Sequence, residues 1–267
     1  MKKTLLGLTA ITFLFGACKK DDASPETWYL SKMIEIGEDS NDTTLISYNT
    51  DNTFKELSYA YTSNGQYVSY SEGAVYEGGK IVSIYEKSNG TSKTTRTIVY
   101  TGDAVTRVVY NGDINGDGIE DNRYDSLVYT SGKLSEIYSI DGSNPGYIYK
   151  YLLTWEGNNV KTRSTFYKFT GTDYTADVVS KYTYDNKPGF QKLFGNYQWL
   201  NDLGSVENLS ANNITKEESY RDGVLHATYT NVYTYEGNLL KEVNSENTYP
   251  DPAYNETYKV KLEYTRK

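Results

Sequence analysis

The sequence predicts an all-β fold, an antiparallel meander of repeated hairpins forming a barrel-like or strongly curved sheet. Three observations predict it. The 267 residues hold 29 tyrosines against 7 phenylalanines, an excess of the aromatic that suits half-wet strand faces. A short motif of an aromatic residue, a glycine turn and a β-branched run recurs along the chain. At the C-terminus, Tyr258, Val260, Leu262 and Tyr264 alternate with Lys259, Lys261 and Glu263, which places the two sets on opposite faces of one strand.

Taken in order, the chain first shows an address. Lys2 and Lys3 precede an apolar run from Leu5 to Phe15 that ends at Phe15-Gly16-Ala17-Cys18, the layout of a lipoprotein signal peptide over 1–17. The run is too short for a transmembrane helix. Cys18, the single cysteine, is placed to be acylated after cleavage, and with no second thiol a disulfide within the chain is excluded. Lys19-Lys20-Asp21-Asp22 resembles the export signal of Bacteroidota surface lipoproteins, and residues 18–26, with Pro25, read as a lipidated tether. The expected location is the outer membrane, lipid-anchored, at the cell surface.

Residues 27–267 read as a single repetitive β domain. The motif appears at Tyr76-Glu77-Gly78, Tyr100-Thr101-Gly102, Tyr129-Thr130-Ser131-Gly132, Trp155-Glu156-Gly157 and Tyr235-Glu236-Gly237, with weaker copies at Tyr48 and Tyr184. From Tyr76 to Tyr184 the anchors are 24, 29, 26 and 29 residues apart. Each unit reads as strand, tight turn, strand and longer polar loop, giving roughly a dozen to fourteen strands. So long a meander must close into a barrel, fold over itself or protect its edges. The residues leave that choice open.

One segment, 188–211, breaks the period. Phe190, Leu193, Phe194 and Tyr197 follow one-sided helical spacing, although Gly195 interrupts it. This insertion is expected to pack across a mouth or face of the sheet. Phe190, Tyr197 and Trp199, aromatics outside the repeat, are candidate ligand-binding residues, because rings of this kind stack on sugars. The flanking stretches Tyr182-Thr183-Tyr184-Asp185-Asn186-Lys187-Pro188-Gly189-Phe190 and Asn212-Asn213-Ile214-Thr215-Lys216 are similar to a Bacteroidota lipoprotein family of unknown function with a porin-like fold. The resemblance implies a barrel-like domain and no particular activity.

The sharpest chemical signal is the loop Asp113-Ile114-Asn115-Gly116-Asp117-Gly118-Ile119-Glu120-Asp121. Oxygen ligands from Asp113, Asn115, Asp117 and Asp121, the Ile119 carbonyl and a glycine at the sixth position match the spacing of an EF-hand-type calcium loop. The twelfth position is Tyr124 where a bidentate glutamate belongs, so the site is expected to be of modest affinity. An acidic turn without metal is the plainer alternative.

Other chemistry is thinly supplied. His226 is the only histidine and falls opposite Leu225, Ala227 and Tyr229, a solvent-facing position. No nucleophile triad or zinc site can be assembled around it. A formal charge of −8 argues against nucleic acid. The expected function is therefore that of a cell-envelope lipoprotein with no enzymatic activity, acting as a surface binding or scaffolding module. Polysaccharide or other envelope proteins are its expected partners, alongside the membrane that holds its N-terminal lipid anchor. The alternatives are a carbohydrate-active enzyme using a carboxylate pair and a purely structural envelope protein.

Overall fold

The computed structural model describes residues 27–36, 41–63, 66–88, 90–112, 122–142 and 146–266. Its strands are β1 (Trp28–Ile36), β2 (Asn41–Tyr48), β3 (Phe54–Ser63), β4 (Gln66–Glu77), β5 (Lys80–Ser88), β6 (Thr91–Thr101), β7 (Ala104–Tyr110) and β8 (Tyr124–Thr130). They continue as β9 (Lys133–Ile140), β10 (Ile148–Glu156), β11 (Asn159–Lys168), β12 (Thr175–Pro188), β13 (Asn212–Arg221), β14 (Val224–Glu236), β15 (Leu239–Thr248) and β16 (Glu256–Arg266). All sixteen form one closed antiparallel barrel in sequence order, sealed where β1 pairs with β16. The sequence leads to fewer strands because the copies without a turn glycine, and the Trp28–Ile36 segment, carry weaker signals.

The repeat motif has a structural cause. At Tyr48, Tyr76, Tyr100, Tyr129, Trp155, Tyr184 and Tyr235 the strand register shifts by a bulge at the aromatic residue itself. A bulge leaves main-chain groups unpaired and bends the strand. The next unit supplies the missing donor: Tyr100 Oη donates to the Ile81 carbonyl at 2.9 Å, Trp155 Nε1 to Leu134 at 2.7 Å and Tyr184 Oη to Val160 at 2.6 Å. Each of these acceptors lies five residues after the preceding aromatic. Tyr48 makes the equivalent bond to Leu30 at 3.0 Å. Phenylalanine has no such donor and could not replace tyrosine at these positions without losing the bond. Two positions after the aromatic, Gly78, Gly102, Gly157 and Gly237 turn the chain with φ between 56° and 61°. Ser131 takes the same left-handed conformation at φ 52° without being glycine.

Apolar side chains point inward. Leu30, Leu57, Ile84, Val108, Ile137 and Val160 are almost fully buried. The outer face carries the ion pairs Lys32–Glu263, Lys150–Glu136, Lys216–Glu218 and Lys259–Glu242 at 3.3, 2.8, 2.6 and 3.2 Å, with apolar residues such as Val99, Val128 and Val232 scattered between. A membrane-spanning barrel needs an outward apolar band. The outward faces of the described strands are mixed, with these charged pairs set among exposed apolar residues.

The 188–211 insertion enters the barrel. It leaves β12 at the tight-turn end, forms a 3-10 turn at Phe190–Phe194, and reverses at Gly195, where φ is 60°. It then forms the short helices α1 (Tyr197–Asn201) and α2 (Val206–Leu209). Phe194, Tyr197, Leu200, Leu203 and Val206 are buried among the inward strand residues. The insertion thus packs on the inner face of the sheet, at the tight-turn mouth, as a plug. The inward face of so wide a barrel cannot fill its lumen with its own side chains, and the insertion supplies the missing apolar volume.

Candidate functional site

The plug is held by the two stretches that carry the family resemblance. Asn213, almost fully buried, accepts from the Phe190 amide at 2.9 Å and donates to Asp185 Oδ2 at 3.1 Å and to the Pro188 carbonyl at 3.1 Å. Tyr235 Oη donates to the same Asp185 oxygen at 3.1 Å. From the neighbouring strand β11, Asn159 Oδ1 accepts from the amides of Ala211 and Asn212, and the Val160 amide donates to Ser210 Oγ. Lys192 Nζ donates to the carbonyls of Asn208 and Leu209 at the end of α2, and burial holds its pKa below the usual lysine value. This collar satisfies the main chain at both exits of the insertion, as burial requires.

The plug fills only the tight-turn half of the lumen. Between it and the long-loop end lie three open cavities of about 620, 560 and 390 Å³. The largest has walls from β5 to β10, including Glu86, Arg96, Tyr110, Arg123 and Asp125, and a floor made by Asn201–Gly204. The second is more apolar, set between Met33, Tyr59, Tyr70, Val260 and Phe190, with Glu35 and Asp42 at its edge. The third lies between Phe190, Tyr229, Tyr233 and Tyr258 and carries Glu207 and Glu217. Glu217 is occupied, accepting from Tyr182 Oη at 3.4 Å and lying 4.0 Å from Arg163.

The three aromatics proposed from the sequence separate here. Phe190 lines two of the cavities. Trp199 is half-buried against the core. Tyr197 is fully buried, stacked on Phe54 with ring centroids 4.2 Å apart, so its ring presents no face to a cavity. His226 is exposed, as expected, next to buried Ala227. Cys18 and the loop Asp113, Asn115, Asp117, Ile119 and Asp121 lie outside the described residues. Among the described residues no group of three His, Cys, Asp or Glu side chains is placed to hold a metal, and no helix is long and apolar enough to cross a membrane.

The structure also assembles a set that sequence reasoning missed. Asp125 is buried and accepts from Tyr110 Oη at 2.7 Å. Desolvation raises the Asp125 pKa above its ordinary value, against the lowering effect of its hydrogen bonds and of Arg123 and Arg96. The Tyr110 hydroxyl is likewise pushed up, by burial first and by the adjacent carboxylate second. Arg123 and Asp125 share a face by their spacing, but nothing in the local sequence marks Arg96 and Tyr110 as their neighbours. Arg96 comes from β6, Tyr110 from β7, Asp125 from β8 and Arg123 from the residue just before β8, and the barrel register brings them together.

The chain matches no family model and no curated protein sequence. Solved structures do match. A porin-like protein from Bacteroides uniformis is 14% identical, covers 89% of this chain and 98% of its own length, and superposes with a TM-score of 0.55. A porin-like protein from Bacteroides vulgatus is 12% identical over 90% of this chain and 99% of its own, with a TM-score of 0.43. The first of these shares the fold of this chain: an all-β, porin-like barrel.

Proposed function

We propose that the chain is a lipid-anchored outer-membrane protein exposed at the cell surface, a non-catalytic binding module that holds its ligand in the open half of a plugged barrel. Polysaccharide is the sharpest form of this reading. The observation that carries it is the lumen, closed at the tight-turn end by a buried plug and hollow at the other, with aromatic and polar walls in the size range of ligand sites. A conducting pore needs a continuous channel, and an apolar plug opposes one. β1 starts at the plugged end. A tether from Cys18 to Trp28 reaches at most about 35 Å, so acylation of Cys18 would turn the plugged end to the membrane and the cavities away from it.

Isothermal titration against a panel of polysaccharides tests the reading, with Phe190→Ala and Trp199→Ala as variants. Binding that Phe190→Ala weakens supports it. Sugar released from any polysaccharide would favour the carboxylate-pair enzyme instead, and neither binding nor release would leave a structural role. Intact mass of membrane-extracted protein tests the anchor: an uncleaved or unacylated N-terminus sinks it. Protease added to whole cells tests exposure, since protection until lysis would place the barrel on the periplasmic side.

A further inference from the structure

The open mouth of the barrel carries aromatic rings outside the repeat. Tyr149 pairs across the strands with Ser139 and Tyr167, and Tyr151 with Ile137 and Thr165. Ile137 and Ser139 are buried on the inner face. Cross-strand partners share a face, so Tyr149, Tyr151 and Tyr167 point into the lumen as well. Tyr147 and Phe169, at the long-loop ends of β10 and β11, join them. The Tyr147 ring lies 4.8 Å from Tyr149 and 5.0 Å from Phe169, and Phe169 lies 5.8 Å from Tyr167. Tyr151, one step deeper, lines the largest cavity. The rings thus descend one wall from the rim into the hollow, over about 14 Å of strand.

Stability alone does not account for this wall. Tyr100 and Tyr184 of the repeat donate to main-chain carbonyls, whereas Tyr147 Oη donates to Tyr149 Oη. Cross-strand ring pairs do support a sheet, but Phe169 stays 55% exposed, and Tyr147, Tyr149 and Tyr167 are only half-buried. Phe169 is not a frayed end. Its amide donates to Thr172 Oγ1 at 3.1 Å, and its carbonyl accepts from the Thr172 hydroxyl at 2.9 Å and the Thr172 amide at 3.1 Å. An apolar ring fixed in water beside other exposed rings marks an interaction surface. Every ring here but Phe169 carries a hydroxyl, and Ser139 and Thr165 lie beside them. Such a wall suits a ligand with apolar C–H faces and a rim of hydroxyls, which describes a sugar. None of these side chains is charged, so the wall favours a neutral one.

We propose that this inner wall stacks a neutral polysaccharide chain, with Phe169 and Tyr147 at the rim, Tyr149 and Tyr167 below them, and Tyr151 leading the chain into the largest cavity. The proposal rests on the binding-module reading and names the subsite and the class of glycan it takes.

The test uses the purified full-length protein and calorimetric titration with cellohexaose, maltohexaose and xylohexaose, and with the disaccharide of each linkage. At least one hexaose is expected to bind, and about tenfold or more tighter than its disaccharide, because the wall has room for about three sugar rings. Phe169→Ala and Tyr149→Ala should each weaken that binding about five- to tenfold, the range of one lost ring contact. Tyr149→Phe, which keeps the ring, should stay within about twofold of the parent. Melting temperatures confirm that the variants fold. A hexaose bound no tighter than its disaccharide, or Tyr149→Phe as weak as Tyr149→Ala, would overturn the proposal. Self-association that Phe169→Ala abolishes would assign the rings to a second copy and overturn it too. Hexaose binding that depends on Phe190 and is unchanged in Phe169→Ala and Tyr149→Ala would overturn it while leaving the binding module standing. If no hexaose binds, the proposal falls, and the binding module falls with it unless a polysaccharide of the wider panel binds.

Discussion

If the repeat's tyrosines exist to satisfy carbonyls freed by bulges, removing their hydroxyls should cost stability in proportion. Tyr48, Tyr100 and Tyr184 donate to Leu30, Ile81 and Val160 at 3.0, 2.9 and 2.6 Å from well-separated strands, so their losses should add. All three are half-buried. Phenylalanine keeps the ring and its packing, leaving the hydrogen bond as the difference, about 1 kcal/mol each. The triple variant Tyr48→Phe/Tyr100→Phe/Tyr184→Phe should therefore lose about 3 kcal/mol. For a chain of this size that is a fall of roughly 6–12 °C in melting temperature. Tyr254→Phe, at a residue 67% exposed, is the control and should melt with the parent. Thermal unfolding followed by circular dichroism measures both. A triple variant within about 2 °C of the parent would mean that water replaces the hydroxyls at no cost, and the tyrosine repeat would need another explanation.

Other outcomes follow from single sites. Phe194→Ala, which removes a fully buried ring set edge-on to Phe54 at 5.9 Å, should cost about 3–5 kcal/mol in urea titration; a loss below about 1 kcal/mol would show that the plug is a detachable lid. Ser131→Gly relieves a left-handed backbone at φ 52° and should raise stability by about 1 kcal/mol, with an unchanged or lower melting temperature counting against strain there. Burial raises the Asp125 pKa, so the folded state holds that proton more tightly than the unfolded chain, and stability falls as pH rises from about 4 through the raised value. Asp125→Asn removes this loss while keeping an acceptor for Tyr110, so the variant should gain on the parent between acid and neutral pH, and parallel stability curves would refute the assignment. For the proposed calcium loop, millimolar calcium should raise the melting temperature relative to chelator by mass action; an identical response in Asp113→Ala/Asp117→Ala would dismiss those ligands.

Periodicity made the meander readable because each hairpin is local: an aromatic, a left-handed turn and two strands fall within one stretch of chain. The C-terminal alternation was equally legible, with Leu262 buried and Glu263 paired outward to Lys32. Closure was not, since the β1–β16 seam joins residues such as Ser31 and Glu263, 232 positions apart, and no local pattern encodes that. The insertion's apolar spacing signalled something buried, but Gly195 splits it into a 3-10 turn and two short helices. Whether it lay over the sheet or inside it depended on the width of the closed lumen. Phe190 is legible as an aromatic outside the repeat, whereas the burial of Tyr197 is not, because spacing cannot tell a plug's core from its rim. The meeting of Arg96 with Arg123 and Asp125 was invisible because it is a matter of register.

The seam also bears on how the molecule comes into being. Synthesis delivers β1 first and its partner β16 last, so Trp28–Ile36 waits with one edge bare until nearly the whole chain exists. Every other strand can pair with its predecessor as it emerges. Such a topology places its longest loop closure at the final step, where the entropic cost is greatest and an open sheet has two sticky margins. A chain cut short before Glu256 would leave both margins permanently unpaired, ready to accept strands from another copy.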